Sequence, residues 1–501
     1  MVTRRSVLGG ALAAAGAGLI TTGALTPVLD AGSAQAAAPT DAAGAAGAVQ
    51  PRPVAVPVPP PFSVRMPVLP VLTPVSTAGG QDTYAVTIKE VSREILPGGM
   101  AKVLTYDGCF PGPVLRARSG RKVVVRHRNT LSMPVAVHLH GGSVTQDNDG
   151  SPMDTFGPGT SRTYTYPNQQ PGAPLWFHDH AHHMESEHVY RGLSASYLLS
   201  DDTERALPLP AGQYEIPIAL RDAHFDAYGQ LVYVMDDAFG RTTILANGRP
   251  SPYVEVAARK YRFRLLNSSN MRFFQLKLSD GGQMVQIGSD GGLLEHPFPT
   301  DTIGLSPAER ADVVIDFSRY PVGTQIVLEN TLGPGTPDQV GKVLRFDVVR
   351  TAADPSRVPD TLRTLPALAA LPKPAVQRSI VLSMDEDGRQ EPRGFMDGQA
   401  YDPDRIDQTV AHGTSEVWTV TNANKLVPHN FHMHLVQFRV LERNGAPAGP
   451  AEAGLKDTVR LFPGETVKLH ATFASYRGTY VYHCHLLDHS AMGMMANFRV
   501  R

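Results

Sequence analysis

From Asp82 onward, apolar and polar residues alternate in short runs broken by glycine and proline. That is the pattern of half-buried strands, and little of the chain carries a helical period. Three runs are versions of one another: 122–129 (KVVVRHRN), 260–267 (KYRFRLLN) and 415–422 (SEVWTVTN). Each ends in asparagine, and each is followed some tens of residues later by a second alternating run, at 163–166, 312–317 and 466–470. The intervals between the asparagines, 138 and 155 residues, are domain-sized. An all-β protein of three repeated β-sandwich domains is therefore predicted. Pro-containing stretches at 201–212 and 361–375 place the domains at 78–205, 206–372 and 373–501.

The head of the chain follows another pattern. Arg4 and Arg5 precede an uncharged, Gly/Ala-rich run to about Leu29, and Ser33-Ala34-Gln35-Ala36 puts small residues where a signal peptidase cleaves. Residues 1–36 are expected to be a twin-arginine secretion signal rather than a membrane anchor, giving an exported protein with no stable membrane insertion. That route carries proteins that have already folded. Residues 37–77, Ala-rich and then Pro-rich, are expected to form an extended linker with no core of its own.

Charge narrows the partner. A formal net charge of −1 over 501 residues leaves no electrostatic footprint for nucleic acid or an anionic membrane, so a small molecule acting on a monomer is expected. The only cysteines are Cys109 and Cys484. If Cys484 binds a metal it cannot form a disulfide, which leaves Cys109 as a small buried residue.

Ten histidines gather in four clusters, all in the first and third repeats: His138 and His140; His178 and His180; His429, His432 and His434; His483, His485 and His489. The middle repeat has only His224 and His296. On an extended strand successive side chains point to opposite faces, so Cys484 looks one way while His483 and His485 look the other. One strand can then serve two metal centres. A thiolate with imidazoles and a more distant thioether is a blue-copper ligand set, and Cys484, His489 and Met494 supply most of it. Zinc competes, but a structural zinc site needs only about four ligands. Many imidazoles with one thiolate favour copper.

These motifs together resemble the three-domain multicopper oxidases, in the layout of the bacterial laccases and bilirubin oxidases, over roughly residues 82–501. The resemblance implies three tandem cupredoxin-like Greek-key domains and four coppers. It implies a type 1 copper on His429, Cys484 and His489 with Met494 as axial ligand, and a type 2 copper on His138 and His432. The type 3 pair would be held by His140, His178 and His485 and by His180, His434 and His483. The implied activity is one-electron oxidation of phenols, aminophenols or aromatic amines at the type 1 site. Electrons would pass through Cys484 to His483 and His485, and dioxygen would be reduced to water. Oxidation of Cu(I) or Mn(II) is the enzymatic alternative, and a copper-binding or structural relative the non-enzymatic one.

One position departs from that family. Relatives commonly carry an acidic residue directly after the last type 1 histidine, and here that residue is Ser490. Asp149 is then the candidate proton donor, against a plain turn carboxylate before Gly150. Asp179 and Asp488 are candidates to orient imidazoles. A solvated turn is expected for His182, His183 and His188 in preference to a copper-loading site, and core packing for Met492, Met495, Trp176 and Trp418.

Overall fold

The computed structural model describes residues 54–388 and 392–501. The expected signal segment, and the expected linker as far as residue 53, lie outside the described residues. Six sheets form three sandwiches, of four and four strands in the first and of seven and five in the second and third. The three repeats are cupredoxin-like, as predicted.

The repeated asparagines show why the three runs look alike. Each run is a strand (Lys122–Asn129, Lys260–Asn267, Thr414–Asn422) lying between one parallel and one antiparallel neighbour. The antiparallel neighbours, Ser161–Tyr166, Arg310–Asp316 and Thr466–Phe473, contain the predicted second runs except for Phe317, which opens a short 3-10 turn. Each terminal asparagine is buried, and its Oδ1 accepts the N–H two residues on, from Leu131, Ser269 and Asn424. Its Nδ2 donates to two carbonyls: Met133 and Phe156, Arg272 and Leu305, Val427 and Leu461. An amide is the side chain that can accept from and donate to backbone at once, so one residue closes the strand and pins two loops.

The Pro-rich stretch is not a free tether within the described residues. Met66 is buried in the core of the second sandwich, and Leu69 packs with Val114 and Leu198 of the first. Bridges from Arg65 to Tyr253 and from Val71 to Val114 strap residues 65–71 across both. Isolated apolar residues among prolines gave no period to betray this.

Two antiparallel strand pairs carry most of the histidines. In the first sandwich Val137–His140 lies against Ala173–Asp179, with His138 opposite His178. In the third, His429–Met433 lies against Gly478–His483, with His432 opposite His483. Two short helices leave these strands, Glu185–Arg191 and Leu487–Ala491.

Candidate metal centres

Cys484 directly follows the strand Gly478–His483, and its backbone N–H donates to the Met494 carbonyl at 3.1 Å. His429 opens a neighbouring strand, and His489 sits on the helix Leu487–Ala491. Their donor atoms converge: Sγ of Cys484 is 3.7 Å from Nδ1 of each histidine, and the two Nδ1 atoms are 3.0 Å apart. All three residues, and Met494, are buried. Ligand bonds of about 2.0–2.3 Å to a single ion put donor atoms at such separations. Nε2 of His429 is taken up by Asn424 Oδ1 at 2.8 Å, which fixes the ring with Nδ1 toward the thiol. Nε2 of His489 faces Asp236 Oδ1 at 3.8 Å.

That carboxylate makes His489 unlike its neighbours. Burial, with His489 adding to it, holds His429 well below the usual histidine range. Burial also opposes charge on His489, but Asp236 and Cys484 outweigh it and push the imidazole up to about 9. A proton must leave His489 when a metal binds there.

The other eight histidines form one buried cluster between the first and third sandwiches. Nε2 of His180 lies 3.3 Å from Nε2 of His483, and Nε2 of His178 lies 3.3 Å from Nε2 of His485. His434 joins His180 and His483 in one set of converging ligand atoms; His138 joins His140 and His178 in another, and His432 and His434 in a third. The rings of His138 and His434 stack at 3.7 Å, as do those of His140 and His432. Each strand pair therefore feeds both sides of the cluster.

The backbone and two carboxylates hold these rings by the nitrogen that points away. His138 Nδ1 donates to the Asp149 carbonyl at 2.6 Å, His432 Nδ1 to the Asp457 carbonyl at 2.7 Å, and His434 Nδ1 to Asp149 Oδ2 at 2.8 Å. His140 Nε2 donates to Asp457 Oδ1 at 2.9 Å. The opposite nitrogens, Nε2 of His138, His432 and His434 and Nδ1 of His140, are buried and unpartnered. Native proteins pair nearly all such atoms, so four lone pairs left facing one another fit metal ions. Burial and the crowding of like imidazoles also keep His138, His140, His180, His432, His483 and His485 well below the usual histidine range, which leaves them in the neutral form that ligates.

Gly150 shapes one of these anchors. It sits at φ +72° against the Val137 carbonyl, where any side chain would collide, and this close approach lets the Asp149 carbonyl reach His138.

Several expected residues take other partners. Asp149 is buried and orients two histidines instead of sitting in an open turn. Asp488 orients no imidazole: it accepts from Arg241, Asn270, Ser186 and the Asp236 N–H, tying all three sandwiches together. Asp179 accepts from the N–H groups of Ala136 and Ala181 and from His188 at 3.0 Å. His188 is thus a buried partner of Asp179 and no part of a solvated turn. His182 and His183 do pack together near the surface, ring against ring. Trp176 does more than fill the core, stacking on His178 at 4.3 Å. Trp418, Met492 and Met495 pack as expected. Cys109 is half-buried and unpaired.

The middle sandwich supplies residues that no motif announced. Arg310 bonds Asp457 through both terminal guanidinium nitrogens, at 2.7 and 2.5 Å, and Lys456 bonds Asp290 and Glu309 beside it. Asp457 is thereby fixed for His140 and His432. Lone charged residues within strands carry no spacing signal.

Fold and site together define a copper oxidase, and comparison with known families agrees: the chain belongs to the multicopper oxidases, whose family matches residues 87–204, 240–337 and 372–501. It is 33% identical to a laccase of Bacillus subtilis (strain 168), over 87% of this chain and 97% of that one. It is 38% identical to a bilirubin oxidase of Albifimbria verrucaria, over 88% and 81%. A crystal structure of a laccase from Pediococcus acidilactici superposes with a TM-score of 0.81 at 31% identity, covering 89% of this chain and 95% of the other. The histidine clusters fit type 1, type 2 and binuclear type 3 copper.

Proposed function

We propose that the chain oxidises phenols, aminophenols or aromatic amines one electron at a time and passes the electrons to dioxygen, working outside the cytoplasm. Copper, when bound, supplies the one-electron oxidation at the cysteine centre and the reduction of dioxygen to water at the histidine cluster. Type 1 copper would lie on His429, Cys484, His489 and Met494, and type 2 on His138 and His432. The type 3 pair would lie on His140, His178 and His485 and on His180, His434 and His483. His483 and His485 are each one peptide bond from Cys484, and His483 Nδ1 also donates to the Cys484 carbonyl at 3.0 Å, so the chain itself links the two centres.

The observation that carries the choice of reductant is the cover over His489. That histidine is buried, and its Nε2 faces the carboxylate of Asp236, whose side chain is 39% exposed. The segment bearing Asp236 also presents Val234, Met235 and Phe239 to solvent, Phe239 at 79%. An apolar rim around one carboxylate suits an aromatic ring carrying a hydroxyl or amino group, which the carboxylate can accept from. The same carboxylate would serve a metal-ion reductant, and this supports Cu(I) or Mn(II) as the second reading.

Oxygen uptake on 2,6-dimethoxyphenol, an aminophenol and Cu(I) separates the two. Asp236→Asn is expected to raise KM for the aromatic donors about tenfold and to leave the blue absorption unchanged. Faster uptake on Cu(I) than on any aromatic donor would replace the first reading by the second.

A further inference from the structure

Almost every buried carboxylate among the described residues faces an arginine, lysine or histidine. Glu185 faces none. Its Oε1 accepts from Ser490 Oγ at 3.1 Å, and its Oε2 is buried with no partner. An isolated carboxylate enclosed in this way is costly, and the group escapes the cost by keeping its proton. Burial, helped by the nearby Asp179, pushes the Glu185 carboxyl up to about 8 against hydrogen bonding from the backbone and from Ser490. Tyr401 is the other ionisable group facing it.

Its position adds to this. The Glu185 N–H donates to the Ala181 carbonyl at 2.9 Å, directly after His180, and the Ser490 N–H donates to the Leu486 carbonyl at 3.0 Å, directly after His485. Carboxyl and hydroxyl thus meet one turn beyond two cluster histidines from opposite sandwiches. Asp149 and Asp457, which touch the cluster, accept from its own histidines, Asp457 from Arg310 as well, although Asp149 Oδ1 is left without a hydrogen bond; unlike Glu185, both face a histidine or an arginine.

Resting on the oxidase reading above, we infer that Glu185 is the internal proton donor for dioxygen reduction, handing its carboxyl proton toward the histidine cluster through the Ser490 hydroxyl. Each dioxygen converted to two waters takes up four electrons, supplied by the reductant, and four protons. On each delivery Glu185 breaks its O–H bond, becomes the carboxylate and recovers a proton from solvent. With the carboxyl protonated on Oε1 the 3.1 Å contact reverses: the Glu185 O–H donates to Ser490 Oγ, and the hydroxyl accepts that proton as it releases its own toward the cluster. The serine that departs from the family pattern is then one half of a pair whose acidic half comes from the first sandwich.

The test uses the copper-loaded full chain. Wild type, Glu185→Gln and the exchange Glu185→Ser with Ser490→Glu are reduced with dithionite and mixed with dioxygen, so that the identity of the natural reductant plays no part. Glu185→Gln is expected to keep its copper and its blue band but to reoxidise roughly a hundredfold more slowly, with a larger solvent isotope effect. The exchange, which moves the carboxyl across the same hydrogen bond, is expected to recover most of the rate. Infrared spectra of the wild type should show a protonated carboxyl at neutral pH that titrates near 8 and is missing from Glu185→Gln. Reoxidation of Glu185→Gln at the wild-type rate, or a wild-type Glu185 ionised at neutral pH, would overturn the inference. If Glu185→Gln does not fold, the wild-type infrared titration decides alone. A reduced wild type that ignores dioxygen would bring down the oxidase reading and this inference together, and is told apart because the wild type itself is then inactive.

Discussion

The donor atoms around Cys484 come from one sandwich, with His429 and His489 only 60 residues apart. The histidine cluster draws on two sandwiches and joins His180 to His483 across 303 residues and His178 to His485 across 307. The first centre is framed by local strand and helix geometry, and Asp236 reaches it from partly exposed ground. The second is sealed, with ring after ring held from behind by Asp149, Asp457 and the backbone. A centre that exchanges electrons with an outside partner needs an approachable edge. One that handles dioxygen needs fixed ligands and no open water.

The contrast can be broken from either side. Cys484→Ser is expected to abolish the blue band and donor-driven oxygen uptake while sparing the copper held by the cluster, as copper analysis with paramagnetic resonance would show. Loss of cluster copper in that variant would mean that the two centres are not built independently. Arg310→Met should do the reverse. It leaves Asp457 without its cation, a change worth roughly 3–5 kcal/mol when a buried pair loses one member. The chain should melt lower and lose cluster copper first, with the blue band retained. Asp149→Asn is milder, removing only the charge on the acceptor behind His434, and cluster copper should bind about tenfold more weakly. Competition with a copper chelator would measure it, and unchanged affinity would show that a neutral acceptor holds His434 as well as the carboxylate does.

The cysteine centre was the more legible of the two. The strand ends at His483, short of the expected run through His485, but the chain next to Cys484 and the short step to His489 carry its geometry in the local sequence. The cluster histidines were legible as residues, because His-X-His in extended chain places both rings on one side, although His180, His434 and His485 fall just past their strand ends. Their supports were not. Arg310 meets Asp457 across 147 residues, and Arg241 meets Asp488 across 247, with no motif at either end. His188 was misplaced for a related reason: it reaches Asp179, nine residues back, only once the helix Glu185–Arg191 has formed. The repeat itself could be read because the closing asparagine does the same work three times. The strap at 65–71 could not, since it depends on which surfaces the sandwiches leave open.

The long separations within the cluster also order events during synthesis. His138, His140, His178 and His180 leave the ribosome some three hundred residues ahead of His483 and His485. Until the third sandwich has folded, the early four lack the facing rings of His432, His434, His483 and His485. Closure of the cluster therefore waits until the third sandwich has folded against the first.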